Sequence, residues 1–353
     1  MAKKNKINVL VLCGGPSNER EVSLKTGLQI AKSLPKSKYR MTLAEITKDG
    51  RWLLRDGIQN ALGTSKALIP TGNDPTLRTF DVAFVGMHGR FGEDGKVQAL
   101  LEMMDIPYTG SEVLASALGM NKVRTLELVG KYGIKTPRLI ALRSVPTKKD
   151  LIALQKKIGR SFGYPCVVKP NESGSSIGVS IVRKKDDLFK AIKKAFNEDT
   201  IVMIEEYIKG RELTCAVLGN TGFGTLAPLP PIEIVSGGEF FDYDAKYSSK
   251  NTEEICPARI TKAQTKKIQA LAEKAHAVIG CDGLSRSDFI LTPRGAFYFL
   301  EINTVPGLTE ASLAPKAAMA HGMPFPKFLD AQIQLAIAKK RGGLSHPLRT
   351  TLT

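Results

Sequence analysis

Four polar side chains recur at alternate positions near the end of the chain: Arg286 and Asp288 in LSRSDFIL, then Glu301 and Asn303 in AFYFLEIN. Both runs read as strands, rich in branched and aromatic residues and joined by the turn TPRG. Alternation puts Arg286 on the face of Asp288 and Glu301 on the face of Asn303, with Leu300 and Ile302 pointing into the core. Charge on a mostly buried strand face is costly unless compensated. A hard divalent cation compensates it well, because Mg²⁺ takes a few carboxylate or carbonyl oxygens and fills its shell with water and phosphate oxygens. A solvated sheet face carrying one Arg–Asp pair fits the same residues, so the hairpin alone leaves both readings open.

A second group follows the strand YPCVVKP (164–170), where Lys169 precedes Gly174, Ser175, Ser176 and Gly178 in NESGSSIGVSIV. Glycines admit backbone N–H groups to phosphate oxygens, serine hydroxyls add donors, and the lysine adds charge. Strands on both sides make this either a lid over phosphates or a plain hairpin tip. Glu205, Glu206, Tyr207 and Ile208 could offer backbone groups to an adenine, with Glu212 placed for a ribose. The apolar run INVLVLC (7–13) breaks at Gly14-Gly15-Pro16, and Ser17 to Glu21, including Glu19, lead into an amphipathic helix reaching about Leu34. A strand, two glycines and a helix N-terminus form an anion or substrate site. There is no G-x-G-x-x-G, and neither Gly-Lys pair precedes Ser or Thr, so dinucleotide and Walker-type sites lack support. His88 ends the strand FDVAFVGMHG (80–89), where open α/β sheets hold ligands, ahead of a turn with Glu93, Asp94 and Gly95.

The remaining elements alternate in period. VQALLEMM, SEVLASALGM and NKVRTLELVGKYG read as helices, KTPRLIAL as a strand, and Met120-Asn121-Lys122 as a domain junction. DDLFKAIKKAFNED is an amphipathic helix; TIVMIEEYIKG, RELTCAVLGN (211–220) and LAPLPPIEIV (226–235) are strands. Residues 236–258 mix aromatics, Lys246 and polar residues, which suggests an ordered Ω-type loop. A long helix precedes the hairpin, two more follow it, and GGLSHPLRTTLT reads as a loose tail.

At 353 residues the chain exceeds one ordinary core, so two or three domains are expected. Apolar content of 42% with 24% charged residues fits a soluble globular protein. Lys and Arg number 51 against 34 Asp and Glu, giving +17, but the positive residues are scattered and lack interleaved stacking aromatics. This argues against a nucleic-acid partner. The five cysteines form no CxxC pair, as in a reducing compartment, and the first apolar run is too short for a signal segment or membrane span. A cytoplasmic location with no membrane partner is expected.

Taken in order, GGPSNEREVSLKTG, HGRFGEDGKVQALLE, IPYTGSEVLASALGMNK, VVKPNESGSSIGVS, IEEYIKGRELTCAVLGN, FDYDAKY, ICPA and SRSDFIL…FYFLEINTVPGLTEASLAP resemble the D-alanine–D-alanine ligases of the ATP-grasp superfamily, from about residue 7 to 338. The resemblance implies an α/β chain with α+β elements in a three-domain ATP-grasp fold. Residues 1–121 would be a Rossmann-like, parallel-sheet substrate domain, 122–209 a central lid domain, and 210–353 a C-terminal domain with the Ω loop and Mg²⁺ site. ATP is the implied cosubstrate, with two Mg²⁺ ions that Mn²⁺ can replace, D-alanine the substrate, and a homodimer the usual assembly. By motif position Lys122, Lys169 and Ser176 would bind phosphates, with Glu205, Glu206 and Ile208 at the adenine, Glu212 at the ribose and Lys246 reaching the γ-phosphate. Asp288, Glu301 and Asn303 match the metal ligands. Glu19 and His88 fall at the first D-alanine, and Ser175 and Tyr247 match a pair linked to Glu19. Arg286 and the Gly307 amide match the oxyanion site, with Ser312 and Leu313 at the second substrate's carboxylate.

Some positions depart from the family pattern. Asn121 stands where Asp is usual, Ser173 gives SGSS for EGSS, the loop reads FFDYDAKY, and SRSDF replaces the usual start of the hairpin. None removes a charged group assigned above. The competing readings are a D-alanine–D-lactate ligase, against which Lys246-Tyr247 speaks, and a non-catalytic nucleotide-binding regulator, against which the retained metal and phosphate residues speak.

Overall fold

The first apolar run forms strand β1 (Ile7–Gly14), the centre of the first sheet. The structure, a computed structural model, describes residues 6–56, 66–68, 75–174, 176–236 and 252–344. With β2 (Tyr39–Ile46), β3 (Trp52–Asp56), β4 (Lys66–Leu68) and β5 (Val82–Val85), the sheet has the order β4-β3-β2-β1-β5. β1 runs parallel to β2 and β5, whereas β3 and β4 add antiparallel at one edge. Val9, Val11, Val82 and Phe84 face one core; Leu10, Leu12, Ala83 and Val85 face another. Burial on both faces explains a continuous apolar run in place of alternation. Gly14 and Gly15 turn the chain with φ of 86° and 95°, and a Cβ on Gly14 would stand 2.5 Å from the Ile46 carbonyl oxygen. Only glycine fits that turn, which delivers Glu19 to the N-cap position of helix α1 (Arg20–Ser33).

β5 leads through α2 (Lys96–Met103) and α3 (Val113–Met120) to α4 (Lys122–Lys131). A second, antiparallel sheet, ordered β6-β9-β7-β8, comprises β6 (Leu139–Leu142), β7 (Cys166–Pro170), β8 (Ser180–Val182) and β9 (Val202–Glu206). Helices α5 (Lys148–Ser161) and α6 (Leu188–Phe196) cover one face, packing Ile158, Leu188 and Ile192 on Val168, Val202 and Ile204. By alternation, the other face carries Lys169 and Glu205.

The third sheet is antiparallel and holds β10 (Arg211–Asn220), β11 (Phe223–Pro228), β12 (Ile232–Ser236), β13 (Thr252–Ile255), β14 (Leu284–Leu291) and β15 (Phe297–Asn303). The expected single strand over 226–235 is two strands, β11 and β12. Pro230 and Pro231 have no N–H to continue a ladder, and Leu229, just before them, turns fully into the core. Helix α7 (Lys262–Ile279) covers one face, where Phe289 and Phe299 meet edge-on at 5.5 Å between ring centres. Burying rings of this size contributes roughly 1.5–3 kcal/mol each. Asp288 pairs with Glu301 but Phe289 with Phe299, so Leu300 is the extra residue of a β-bulge. It is half-buried, and of the two residues expected in the core only Ile302 is fully there.

Helices α8 (Leu313–Ala320) and α9 (Phe325–Leu344) close the fold. Phe328, Leu329 and Ile333 of α9 join Val9, Val11 and Phe84 of the first sheet to Ala216 and Leu218 of the third in one core. The third sheet's face is thus apolar at one end and free to carry polar groups at the other. Helix α4 packs Val123, Leu126 and Val129 on the third sheet's opposite core. Among the described residues, no helix is long and apolar enough to cross a membrane.

Candidate active site

A cavity of about 340 Å³ opens between the face of the third sheet and the loops that follow β1, β5 and β7. On its floor, Arg286 pairs across the strands with Asn303 and Asp288 with Glu301, which sets all four side chains on one face. β10 brings Thr214 beside Asp288, and its hydroxyl donates to Asp288 Oδ1 at 2.6 Å. Arg286 forks onto the same carboxylate, Nε to Oδ1 and Nη2 to Oδ2, both at 2.9 Å. Burial opposes the guanidinium charge, but Asp288, then Glu301 and Glu93, outweigh it and push the Arg286 pKa up. At the start of α4, Lys122 places Nζ 3.4 Å from Glu301 Oε2 and donates to the Ser173 carbonyl at 2.9 Å. Two cations thus face two carboxylates, which is how the strand face tolerates its charge.

Among the described residues no three His, Cys, Asp or Glu side chains are placed to hold an ion. The donor set of Asp288, Glu301 and Asn303 is instead two carboxylates and an amide. That is as many protein ligands as Mg²⁺ takes when substrate phosphates and water complete its octahedron. Asn303 Nδ2 is buried without a partner, so a half-turn that presents Oδ1 in its place breaks no hydrogen bond at that nitrogen. The carboxylates keep spare lone pairs beyond the bonds they accept. The residues present therefore fit the ion.

Glu19 and His88 form the opposite wall. A Cβ on Gly174 would stand 2.8 Å from Glu19 Oε2, and one on Gly89 would stand 2.7 Å from the same atom. Glycine at these two positions lets the segment after β7 and the His88 turn close on this carboxylate. His88 is buried, with Nε2 3.0 Å from Thr26 Oγ1 and Nδ1 3.2 Å from the Val305 carbonyl and 3.6 Å from Glu93 Oε1. Burial works against a charged ring, but Glu93, then Glu19 and Val305, raise its pKa; burial likewise raises that of Glu93. The pair holds a proton more tightly than either group would in water.

The third wall is the turn from Gly307 into α8. A Cβ on Gly307 would meet Ser312 Oγ at 2.9 Å, and that hydroxyl accepts from the Thr309 N–H at 3.1 Å. Ser312 and Leu313 line the cavity at the helix N-terminus, where unpaired backbone N–H groups favour an anion.

Of the sequence-derived candidates, Glu19, His88, Lys122, Glu212, Arg286, Asp288, Glu301, Asn303, Gly307, Ser312 and Leu313 share this cavity. Lys169, Ser176, Glu205, Glu206 and Ile208 do not line it. Lys169 pairs with Glu205 at 2.8 Å on the inner face of the second sheet, and Glu205 Oε2 is buried without a partner. Glu206 accepts a two-pronged contact from Arg138 at 2.9 Å, which holds its pKa below the usual range. Ile208 is half-buried just past β9, and Ser176 sits in the turn between β7 and β8 at φ 57°. Ser175, Lys246 and Tyr247 lie outside the described residues. Thr214 and Glu93 were not singled out from the sequence. The only hint of Glu93 was its place in the acidic turn after His88, and a lone threonine in RELTCAVLGN gave none for Thr214.

Comparison with known proteins adds to this geometry. Residues 8–111 match the family model described as D-ala D-ala ligase N-terminus, and residues 128–334 match D-ala D-ala ligase C-terminus. Curated relatives include the D-alanine--D-alanine ligase of Syntrophobacter fumaroxidans, 42% identical with 94% of this chain and 98% of that protein covered. That of Pelotomaculum thermopropionicum is 39% identical, with 94% and 97% covered. Among solved structures, the D-alanine-D-alanine ligase from Coxiella burnetii superposes with a TM-score of 0.85 at 31% identity, covering 97% of each chain. The VanG D-Ala:D-Ser ligase from Enterococcus faecalis gives 0.83 at 33% identity, covering 94% of this chain and 100% of that one.

Proposed function

This chain belongs to the D-alanine–D-alanine ligase family, and we propose that it joins two D-alanine molecules through a D-alanyl phosphate, for peptidoglycan precursor synthesis. It is an ATP-dependent, ADP-forming ligase of the ATP-grasp fold. The observation that carries the reading is a single cavity with three distinct walls: the Glu19–His88 pair, the Arg286–Asp288–Glu301–Asn303 face beside Lys122, and the Gly307–Leu313 turn.

The walls divide the chemistry. Glu19, beside His88, pairs with the first D-alanine's ammonium and turns its carboxylate toward Lys122 and Arg286. That carboxylate takes the γ-phosphoryl group of ATP, and the second D-alanine's amine then attacks the acyl phosphate. Lys122, Lys169 and Ser176 hold phosphates; Glu205, Glu206 and Ile208 hold the adenine, and Glu212 the ribose. Asp288, Glu301 and Asn303 would hold two Mg²⁺ ions, replaceable by Mn²⁺, which supply charge neutralisation on the phosphates. Arg286 and the Gly307 N–H donate to the oxyanion formed at the second step, a task that needs donors fixed in advance. The N-terminus of α8, at Ser312 and Leu313, takes the second substrate's carboxylate. Gly174 closing on Glu19 keeps water from the acyl phosphate. Ser175 and Tyr247, linked to Glu19, and Lys246 at the γ-phosphate belong to the same proposal.

The proposal extends to a division at 1–121, 122–209 and 210–353, to a homodimer in the cytoplasm, and to the absence of nucleic-acid and membrane partners. The likeness to a D-Ala:D-Ser enzyme makes D-serine the acceptor to compete against. Incubation with ATP, Mg²⁺ and equal D-alanine, D-serine and D-lactate, read by mass spectrometry, should yield mainly D-alanyl-D-alanine. A predominant ester or D-Ala-D-Ser product would reassign the second substrate.

A further inference from the structure

The turn that carries His88 and Glu93 also reaches the second sheet. Gly92 and Glu93 N–H groups both donate to the Gly89 carbonyl, at 3.2 and 2.9 Å, so Arg90 is held in a tight turn. Its Nη2 lies 3.5 Å from Asp199 Oδ1 and 3.5 Å from the Glu198 carbonyl, just past α6. Asp199 is a buried carboxylate, its side chain only 3% exposed, against 53% for Arg90. It already accepts from the Glu172 N–H at 2.6 Å through Oδ2 and from the Thr200 N–H at 2.6 Å through Oδ1. Backbone donors therefore satisfy Asp199 without Arg90, and the arginine adds a link between the first-substrate wall and the base of the lid.

From Asp199 the connection continues along the backbone. Glu172, fixed by Asp199, accepts at Oε1 from Asn121 Nδ2 at 2.8 Å, and Asn171 N–H donates to the Ile201 carbonyl at 3.0 Å. Two residues on, Gly174 abuts the Glu19 carboxylate. The loop base is thus gripped from three sides within four residues of the group that faces the substrate.

We propose that Arg90 and Asp199 are positioning residues that latch the base of the phosphate lid to the first-substrate wall. The latch touches neither substrate nor reacting atoms. Resting on the ligase reading above, its effect is to keep Gly174 seated on Glu19 while the acyl phosphate exists. A loosened latch admits water, so the acyl phosphate is hydrolysed to D-alanine and phosphate and ADP forms without dipeptide.

Arg90→Ala is the test, because the side chain is half-exposed and Asp199 keeps its Glu172 and Thr200 backbone donors without it. Two readouts are taken: ADP formed per dipeptide, and hydrogen exchange of the Asn171–Gly174 amides with Mg²⁺ and a non-hydrolysable ATP analogue. The latch predicts an ADP-to-dipeptide ratio about twofold or more above wild type and exchange up to about fivefold faster, the scale of a partly exposed ion pair. Arg90→Lys should recover most of both, with unchanged thermal unfolding in either variant. A wild-type ratio or wild-type exchange in Arg90→Ala overturns the proposal. If the wild-type protein forms no dipeptide, the ligase reading fails, and exchange alone still decides the latch.

Discussion

Replacing Arg286 with methionine keeps most of the side chain's bulk and removes only the guanidinium. The loss is two bonds of 2.9 Å to Asp288, between side chains 16% and 11% exposed. Asp288 would keep the Thr214 hydroxyl, and Glu301 would keep Lys122 at 3.4 Å, leaving a net uncompensated carboxylate on the strand face. Removing one partner of a buried pair costs about 3–5 kcal/mol, and the open cavity argues for the lower end, about 3 kcal/mol. In a unit of some 150–250 residues this lowers Tm by roughly 6–12 °C. Arg286→Lys keeps charge but not the fork and should fall by less. Arg286→Met/Asp288→Asn should recover most of the loss, because no orphan charge remains. Added Mg²⁺ should raise the Tm of Arg286→Met more than that of wild type. Thermal unfolding by circular dichroism without nucleotide reads all four. A single variant within about 2 °C of wild type, or a double variant as low as the single, would refute a compensated buried pair.

Other perturbations probe the remaining walls and the fold. Gly174→Ala places a methyl 2.8 Å from Glu19 Oε2, so the Glu19 carboxylate or the 171–174 segment must move; kcat/KM for D-alanine should fall by about 10–100-fold with ATP binding little changed, measured by steady-state kinetics. Lys169→Met leaves Glu205 without its 2.8 Å partner, and nucleotide titration should show ATP binding weakened by about tenfold or more, with Arg a poor substitute. Glu233, bonded first by Arg211 and then by Arg259, has its pKa pulled down to about 2 despite burial. Its folded-state pKa is depressed, so its contribution is present above the ordinary value of 4.5 and is lost as pH falls from there toward about 2. Glu233→Gln should cost on the order of 2 kcal/mol at pH 7, discounted for the half-exposed arginines, and flatten the acid limb of a stability–pH profile.

The hairpin was legible because LSRSDFIL and FYFLEIN are rich in branched and aromatic residues around the turn TPRG, and β10 and β14 match the strands the sequence suggests. The bulge at Leu300 was not, since an extra residue shows only once two strands are in register. Tyr39–Ile46 and Trp52–Asp56 carried no motif, and β2 owes its place to pairing with β1. Thr214 and Glu93 became site residues through partners 74 positions away in one case and a buried turn in the other. The Asn121 departure has a physical counterpart: its Oδ1 accepts the Arg124 N–H while its Nδ2 donates to Glu172. An aspartate could do only the first and would repel that glutamate. Sequence spacing identifies such groups singly; long-range packing decides which of them meet.

The central claim is that this cavity couples ATP cleavage to D-alanine ligation. The direct measurement is ADP and phosphate release with Mg²⁺ and ATP, with and without D-alanine, alongside dipeptide yield. The account predicts turnover that depends on D-alanine, gives one dipeptide per ADP, and disappears in Glu301→Ala. Nucleotide binding without D-alanine-dependent turnover, in the wild-type protein, would contradict it.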